Sequence, residues 1–341
     1  MSHPSQDRRR PTLEDVAAHA GVSRALASIV IRGAAGASDT TRQRVLASAA
    51  QLGYRPDPRA QLLARRHSRL IGVSFGAHHP FHADLLEGIY LAAEPAGYDV
   101  ALSALTPSRD EHRAVESLLD YRCEALILLG PQTPESRLAE LSSRLPVVVV
   151  ARHVRNRSVH VVRTDDEAGA RAAVAHLADL GHRDIAHVDG GRAPGAAERR
   201  RGYLAAMRQH GLAERTRILP GGLTEEGGGA AARILLSGAD PLPTAVVAFN
   251  DRCAVGVLDA LARADVAVPA DVSLVGYDDD RLSRLPHINL TTVAQNAPRM
   301  AALAVDTAVA LLDGTGVADR AAVIAPHLTV RGTTGPVAPG R

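Results

Sequence analysis

The sequence predicts an all-α helix-turn-helix head followed by an α/β body built on doubly wound parallel sheets in two lobes. Three observations predict it. Residues 12–31, TLEDVAAHAGVSRALASIVI, read as two short helices joined by a glycine turn. From Leu70 onward the short apolar runs LIGVSF, YDVALSA, EALILLG, PVVVVA, DIAHVDG, TAVVAFN and DVSLVGY each precede a helical stretch or a loop. Continuous apolar strands of this kind belong to parallel sheets covered by helices on both faces. Charge divides at the same place: residues 1–69 hold 12 arginines against 5 carboxylates, so a chain of formal net charge +2 has a basic head on a mildly acidic body.

In the head, the Thr12 hydroxyl can cap a first helix, with Glu14 and Asp15 near its positive end. Leu13, Val16, Ala17 and Ala20 then share one face at helical spacing. Gly21 can take the positive φ that ends the helix, and Ser23 can cap the next, residues 24–31. A third helix is expected over about residues 39–52, capped by Ser38 and closed by Gly53, with Val45, Leu46 and Ala49 inward. In such a unit the second helix enters the major groove, and Arg24, Ala25 and Ser28 would face base edges. Double-stranded DNA is therefore the leading partner, with an ordinary helical hairpin as the plain alternative. The basic head suits phosphate neutralisation and predicts affinity that falls with salt; Arg8, Arg9 and Arg10 read equally well as a solvated tail.

A chain of 341 residues predicts two or three domains. The first residues carry no apolar export segment and no run reaches the length of a membrane span, so a cytoplasmic protein without a membrane partner is expected. The chain contains no lysine, which removes a Walker A phosphate loop. Cys123 and Cys253 are expected as buried free thiols. Two sheets imply a ligand cleft where strand ends meet helix N-termini. Catalysis finds no anchor: GGRAPG has the wrong glycine spacing for a dinucleotide site, no Gly-x-Ser-x-Gly elbow occurs, and His78, His79 and His82 read as surface histidines before a helix. No catalytic residue, metal or cofactor is expected, and a secreted solute-binding protein would have no use for residues 12–66.

The order TLEDVAAHAGVS, TRQRV, LGYRPD, PRAQLLARRHS and LIGV resembles the lac repressor family of transcriptional regulators across nearly the whole chain. The resemblance implies a type I periplasmic-binding-protein-like core whose chain crosses between lobes near Val162, Val293 and Val323. It divides the sequence into a head, 1–56, with 1–10 as a disordered tail; a hinge helix or linker, 57–69; an effector-binding and dimerisation domain, 70–335; and a tail, 336–341. Lobe 1 would span about 70–162 and 294–322, lobe 2 about 163–293 and 323–335. It implies a homodimeric regulator, in the first instance a repressor, whose operator affinity is set by a sugar or sugar derivative in the cleft. A nucleobase or an acidic or phosphorylated corepressor is the alternative.

By the same resemblance, DNA contacts fall to Thr12, Ser23, Arg24, Ala25, Ser28, Arg32, Arg59, Leu63 and Ala64, with Leu63 as a minor-groove wedge. Effector contacts fall to Phe81, Arg199, Asn250, Asp278 and Gln295; Asp251 is expected as a helix cap. Departures matter. Where many relatives carry Asp after the PVV strand, this chain has Ala151 and then Arg152, which makes Arg152 a candidate contact for an acidic effector. Leu223, in GGLTEEGGG, stands where relatives often have a second ring-stacking aromatic. Ile29 replaces an arginine that commonly addresses guanine, so the operator should differ from the usual one, with Arg24 able to assume guanine reading.

Overall fold

The computed structural model describes residues 11–55, 67–238, 240–317 and 319–337. It divides into two compact units, Met1–Ser68 and Arg69–Arg341. In the first unit three helices, α1 (Leu13–His19), α2 (Arg24–Ile31) and α3 (Asp39–Gln51), start on side-chain caps. Thr12 and Asp15 form a reciprocal capping box, and Ser23 and Ser38 accept from Leu26 and Thr41 amides. Gly21 and Gly53 adopt φ of 61° and 63° to end α1 and α3. Val16, Ala17, Ala20, Ala27, Val30, Val45 and Ala49 form the core. Leu46 departs from expectation: it is 48% exposed while Ser48 is buried. Positions 45, 48, 49 and 52 share the inward face of α3, and position 46 is turned about 100° from 45.

The second unit holds two six-stranded sheets. In lobe 1, β1 (Leu70–Gly76), α4 (Pro80–Ala93), β2 (Asp99–Leu105), α5 (Glu111–Asp120), β3 (Ala125–Leu129), α6 (Glu135–Ser142), β4 (Val147–Val150) and β5 (His160–Thr164) alternate. After Thr164 the chain passes to lobe 2: α7 (Asp166–Asp179), β6 (Ile185–Asp189), α8 (Ala196–Gln209), β7 (Arg217–Pro220), α9 (Glu225–Ser237), β8 (Ala245–Ala248), α10 (Asp251–Arg263), β9 (Ser273–Asp278) and β10 (Thr291–Ala294). It returns for α11 (Ala297–Leu312) and β11 (Ala321–Ile324), then crosses again to β12 (His327–Thr329). The lobe 1 sheet runs β11-β5-β4-β3-β1-β2 and is parallel throughout; the lobe 2 sheet runs β12-β10-β9-β8-β6-β7, with β12 antiparallel to β10.

Apolar runs dictate the layering. Every residue of β3 and β4 is buried, as strands covered on both faces require. In lobe 1, Met300, Ala301, Ala304 and Ala308 of α11 join Ile71, Val73, Leu85 and Ile89 in one core. Gly88 permits the contact of α4 with α11, because a Cβ there would lie 2.6 Å from the Cβ of Ala301. In lobe 2, Gly228 lets α9 meet α10: a Cβ would stand 1.9 Å from the Cys253 carbonyl oxygen. The glycine run after Leu223 therefore serves helix packing. Cys123 and Cys253 are buried free thiols, and burial pushes both up to about 12. Among the described residues no helix is long and apolar enough to cross a membrane.

Candidate functional site

In the first unit the buried residues of α2, Ala27 and Val30, leave the opposite face outward. Arg24, Ala25 and Arg32 are exposed there, and Ser28 and Ile29 are half-buried. Arg24 lies 3.7 Å from Glu14, but both side chains are about 70% exposed, so the pair is weak and its guanidinium is available. Arg32 Nε donates to the Ser28 carbonyl at 3.1 Å. The capping roles of Thr12 and Ser23 occupy their oxygens as acceptors.

In the second unit a cavity of about 700 Å³ lies where the strand ends of both lobes face each other. Lobe 1 contributes Phe81, His79, His82 and Ala151, lobe 2 contributes Arg199, Phe249, Arg252 and Asp278, and Gln295 comes from the second crossing. Parallel strands leave side chains and helix N-termini converging at their carboxyl ends, so the cleft follows from topology.

Arg199 is the buried cation of the site. Its Nε donates to Asp166 Oδ1 at 2.8 Å and a terminal nitrogen to the Phe249 carbonyl at 2.7 Å, while the other terminal nitrogen lies 3.7 Å from Asp278 Oδ1. The guanidinium stands 3.6 Å from the Tyr277 ring centroid and 4.7 Å from that of Phe249. Burial opposes its charge, but its anionic neighbours, Asp166 first, hold its pKa above the ordinary arginine value. Asp278 is pushed up to about 7 by burial, against the pull of Arg199 and of a 2.6 Å hydrogen bond donated by Gln295 Nε2. Burial likewise raises Asp166 despite Arg199.

The histidines are neutral donors. His82 Nδ1 accepts the Gly76 amide at 2.9 Å, which leaves the ring proton on Nε2, beside Gly130. Burial, and then His79, keep His82 well below the usual imidazole range. His79 stacks on it at 4.3 Å and is lowered to about 4, by burial first and then by Arg199 and Arg252. The remaining cations are committed: Arg109 donates to Ser103 Oγ, Ala104 O and Ser117 Oγ, and Arg252 is held by Glu225 and donates to the His78 carbonyl. Among the described residues no cluster of His, Cys, Asp and Glu could hold a metal ion.

Known proteins match this arrangement in both units. The bacterial regulatory proteins of the lacI family match residues 12–57, and a periplasmic binding protein-like domain matches residues 174–334. The HTH-type transcriptional regulator GalR of Escherichia coli (strain K12) is 31% identical over 324 residues, 94% of each chain. The chain belongs to the lac repressor family of transcriptional regulators. A LacI transcriptional regulator from Rhodococcus species is 53% identical, with a TM-score of 0.76 over 79% of this chain and 99% of that one. The lac repressor dimer bound to operator and the anti-inducer ONPF is 27% identical, with a TM-score of 0.79 over 96% and 100%. The transcriptional regulator CelR in complex with cellobiose is 29% identical, with a TM-score of 0.69 over 95% and 100%. These relatives are regulators, and the chain is not read as an enzyme.

Within this lac repressor family member the structure brings Phe81, Arg199, Asp278 and Gln295 together at one cavity. It does not bring Arg152 or Asn250 there. Arg152 turns its guanidinium onto the Pro131 and Thr133 carbonyls at 2.8 and 2.6 Å. Asn250 caps α10 through Cys253 N and donates to the Leu223 carbonyl. Asp251 is thus the first residue of α10 and not its cap; it accepts from the Thr292 hydroxyl and the Asp280 amide. Arg59, Leu63 and Ala64 lie outside the described residues, as do Arg8, Arg9 and Arg10.

Sequence reasoning missed His79, His82, Phe249 and Arg252. The signal for His82 was present: with Leu85 and Ile89 it forms an i, i+3, i+7 face, and all three are buried. His82 is 7% exposed, so it is no surface histidine. Asp165 supplies the cap of α7 through Ala168 N, which frees Asp166 to turn inward onto Arg199.

Proposed function

We propose that this regulator is a cytoplasmic repressor that works as a homodimer, holding double-stranded operator DNA with two heads and changing its operator affinity when an uncharged polyol, a sugar or sugar derivative, occupies the cleft. The observation that carries the effector class is that the cations lining the cavity already have partners. Arg199 faces Asp166 and Asp278, Arg252 faces Glu225, Arg109 is spent on lobe 1 acceptors, and the two histidines are neutral. An acidic or phosphorylated effector would need an uncommitted cation, and Arg152 is turned away on backbone carbonyls. Hydroxyl groups, which both donate and accept, suit the Nε2–H of His82 on one wall and Asp278 with Gln295 on the other. The cavity volume lies within the range of small-molecule sites. Among the relatives, a lac repressor dimer holds operator with an anti-inducer, and CelR holds cellobiose.

In the head, Arg24, Ala25, Ser28 and Arg32 supply the reading face, and Thr12 and Ser23 phosphate contacts. Arg59, Leu63 and Ala64 serve as a hinge that pairs over the operator centre, with Leu63 as the wedge. Effector and operator share one reciprocal coupling free energy through the two lobes. The test is selection of bound duplexes from a random pool by the full chain, repeated with neutral sugars, sugar acids, sugar phosphates and nucleobases. A half-site motif weakened by a neutral sugar is expected. Failure to enrich any motif refutes the regulator reading, and a response to an acidic ligand or a nucleobase refutes the polyol reading.

A further inference from the structure

We propose that Arg252, braced by Glu225, and Arg281 are straps by which lobe 2 grips helix α4 of lobe 1 and the loop that leads into it and keeps the cleft closed, and that Arg252 is the positioning residue that governs opening of the mouth. The two straps start from different parts of lobe 2. Arg252 is the second residue of α10; its Nε donates to Glu225 Oε1 at 2.8 Å and a terminal nitrogen to Glu225 Oε2, which holds the guanidinium fork-on. The remaining terminal nitrogen crosses to the carbonyl of His78, in the loop that leads into α4. Arg281, in the turn after β9, reaches Asp84 Oδ1 at 3.5 Å and Glu87 Oε2 at 3.0 Å. Asp84 and Glu87 are three residues apart and therefore neighbours on α4.

The straps differ in strength for a physical reason. The Arg252 side chain is 19% exposed and its carboxylate partner is bidentate, so its charge-assisted bonds are sheltered from solvent. Glu225, at the first turn of α9, is held below the usual carboxylate range by Arg252, so the brace is charged at neutral pH. Arg281 is 75% exposed and its contacts are open to salt. Arg281 ends on the helix that carries Phe81 and His82 into the cavity, and Arg252 on the loop that leads into it. Opening the lobes therefore requires releasing α4 at its N-terminal end, and Arg252 also lines the cavity it closes.

The inference rests on reading the cleft as a ligand site, but its test adds no ligand and no DNA. Amide hydrogen exchange of the full chain is followed in wild type, Arg252→Ala, Glu225→Gln and Arg281→Ala. In Arg252→Ala, segments 76–82 and 249–253 should exchange at least about threefold faster, as local opening requires, while segment 147–150 in the lobe 1 sheet is unchanged. Glu225→Gln keeps the packing but removes the charge and one acceptor of the brace; it should move the same two segments by less, and Arg281→Ala should act in the same direction on segment 80–89. Unchanged exchange at both mouth segments in Arg252→Ala and Glu225→Gln would overturn the proposal, and so would acceleration that spreads equally to 147–150. A failed sugar screen leaves this result standing, and unchanged exchange leaves the effector reading standing.

Discussion

Asp278→Asn should stabilise the chain in a pH-dependent way, and the size of the effect follows from the cleft. Burial among Asp166 and Asp280 lifts the Asp278 carboxyl from 3.8 to about 7, with Arg199 and Gln295 only partly restoring it. A carboxyl whose folded pKa exceeds its unfolded value costs stability. The cost is absent below about pH 4, grows as pH rises towards 7 and is constant above it, because the unfolded chain releases the proton first. The full displacement corresponds to about 4 kcal/mol, of which about 2 kcal/mol accrues between about pH 5.5 and pH 8.5. Asparagine cannot ionise and keeps an oxygen for Gln295 and Arg199. The gain in melting temperature of Asp278→Asn over wild type should therefore widen by about 4–8 °C between those two pH values. Comparing the two chains at each pH cancels the contributions of the buried histidines His79 and His82, whereas Asp251, which the Asp278 charge helps to raise, titrates with Asp278 and counts in the same difference. Scanning calorimetry decides it: an equal difference at both pH values would mean that Asp278 is ionised throughout, and the account of the buried charge cluster would be wrong.

Three further outcomes follow from single contacts. Gly88→Ala should lower stability by about 1–3 kcal/mol through forced separation of α4 from α11, and Ala301→Gly in the same chain should recover part of it; an unchanged melting curve would contradict the close approach. Thr12→Ala removes the capping box of α1 and should cost the head about 1 kcal/mol, read as an earlier melting step of the head with the body unaffected. Arg24→Ala should leave the head folded, since its pair with Glu14 is exposed, and cost about 1–3 kcal/mol at one base pair of the selected half-site in fluorescence anisotropy; uniform weakening on all sequences would make it a phosphate contact instead.

The fold was legible wherever the hydrophobic pattern was clean. The continuous runs at β1, β3, β4 and β8, short and rich in β-branched residues or leucine, read as buried strands, and the caps Thr12, Ser23 and Ser38 announce α1 to α3. Strands with mixed composition escaped notice. β5 is HVVRT, with His160 and Arg163 only partly buried, so it lacks a continuous apolar run, while β11 (AAVI) and β12 (HLT) are short edge strands with exposed positions, too short to stand out as central strands. Leu46 shows the limit of residue type as a guide: helical register, not hydrophobicity, sends Ser48 inward and leaves the leucine out.

The site was less legible than the fold, and the arginines show why. In a chain whose 39 basic residues are all arginine, sequence gives each the same charge and the same fork of donors. What separates Arg199, Arg152 and Arg252 is the set of acceptors that the fold brings to each. Arg199 meets Asp166, a residue freed because Asp165 caps α7, and so becomes a buried, matched cation. Arg152 sits one position past Ala151, whose φ of 60° bends the chain, and finds two lobe 1 carbonyls. Arg252 finds Glu225 because Gly228 and Gly256 draw α9 against α10. A glycine selected for helix contact thus decides the chemistry of a guanidinium at the cleft. The proposed preference for an uncharged effector rests on these pairings, because a cavity whose cations are already answered by carboxylates and carbonyls favours an uncharged guest over an anionic one.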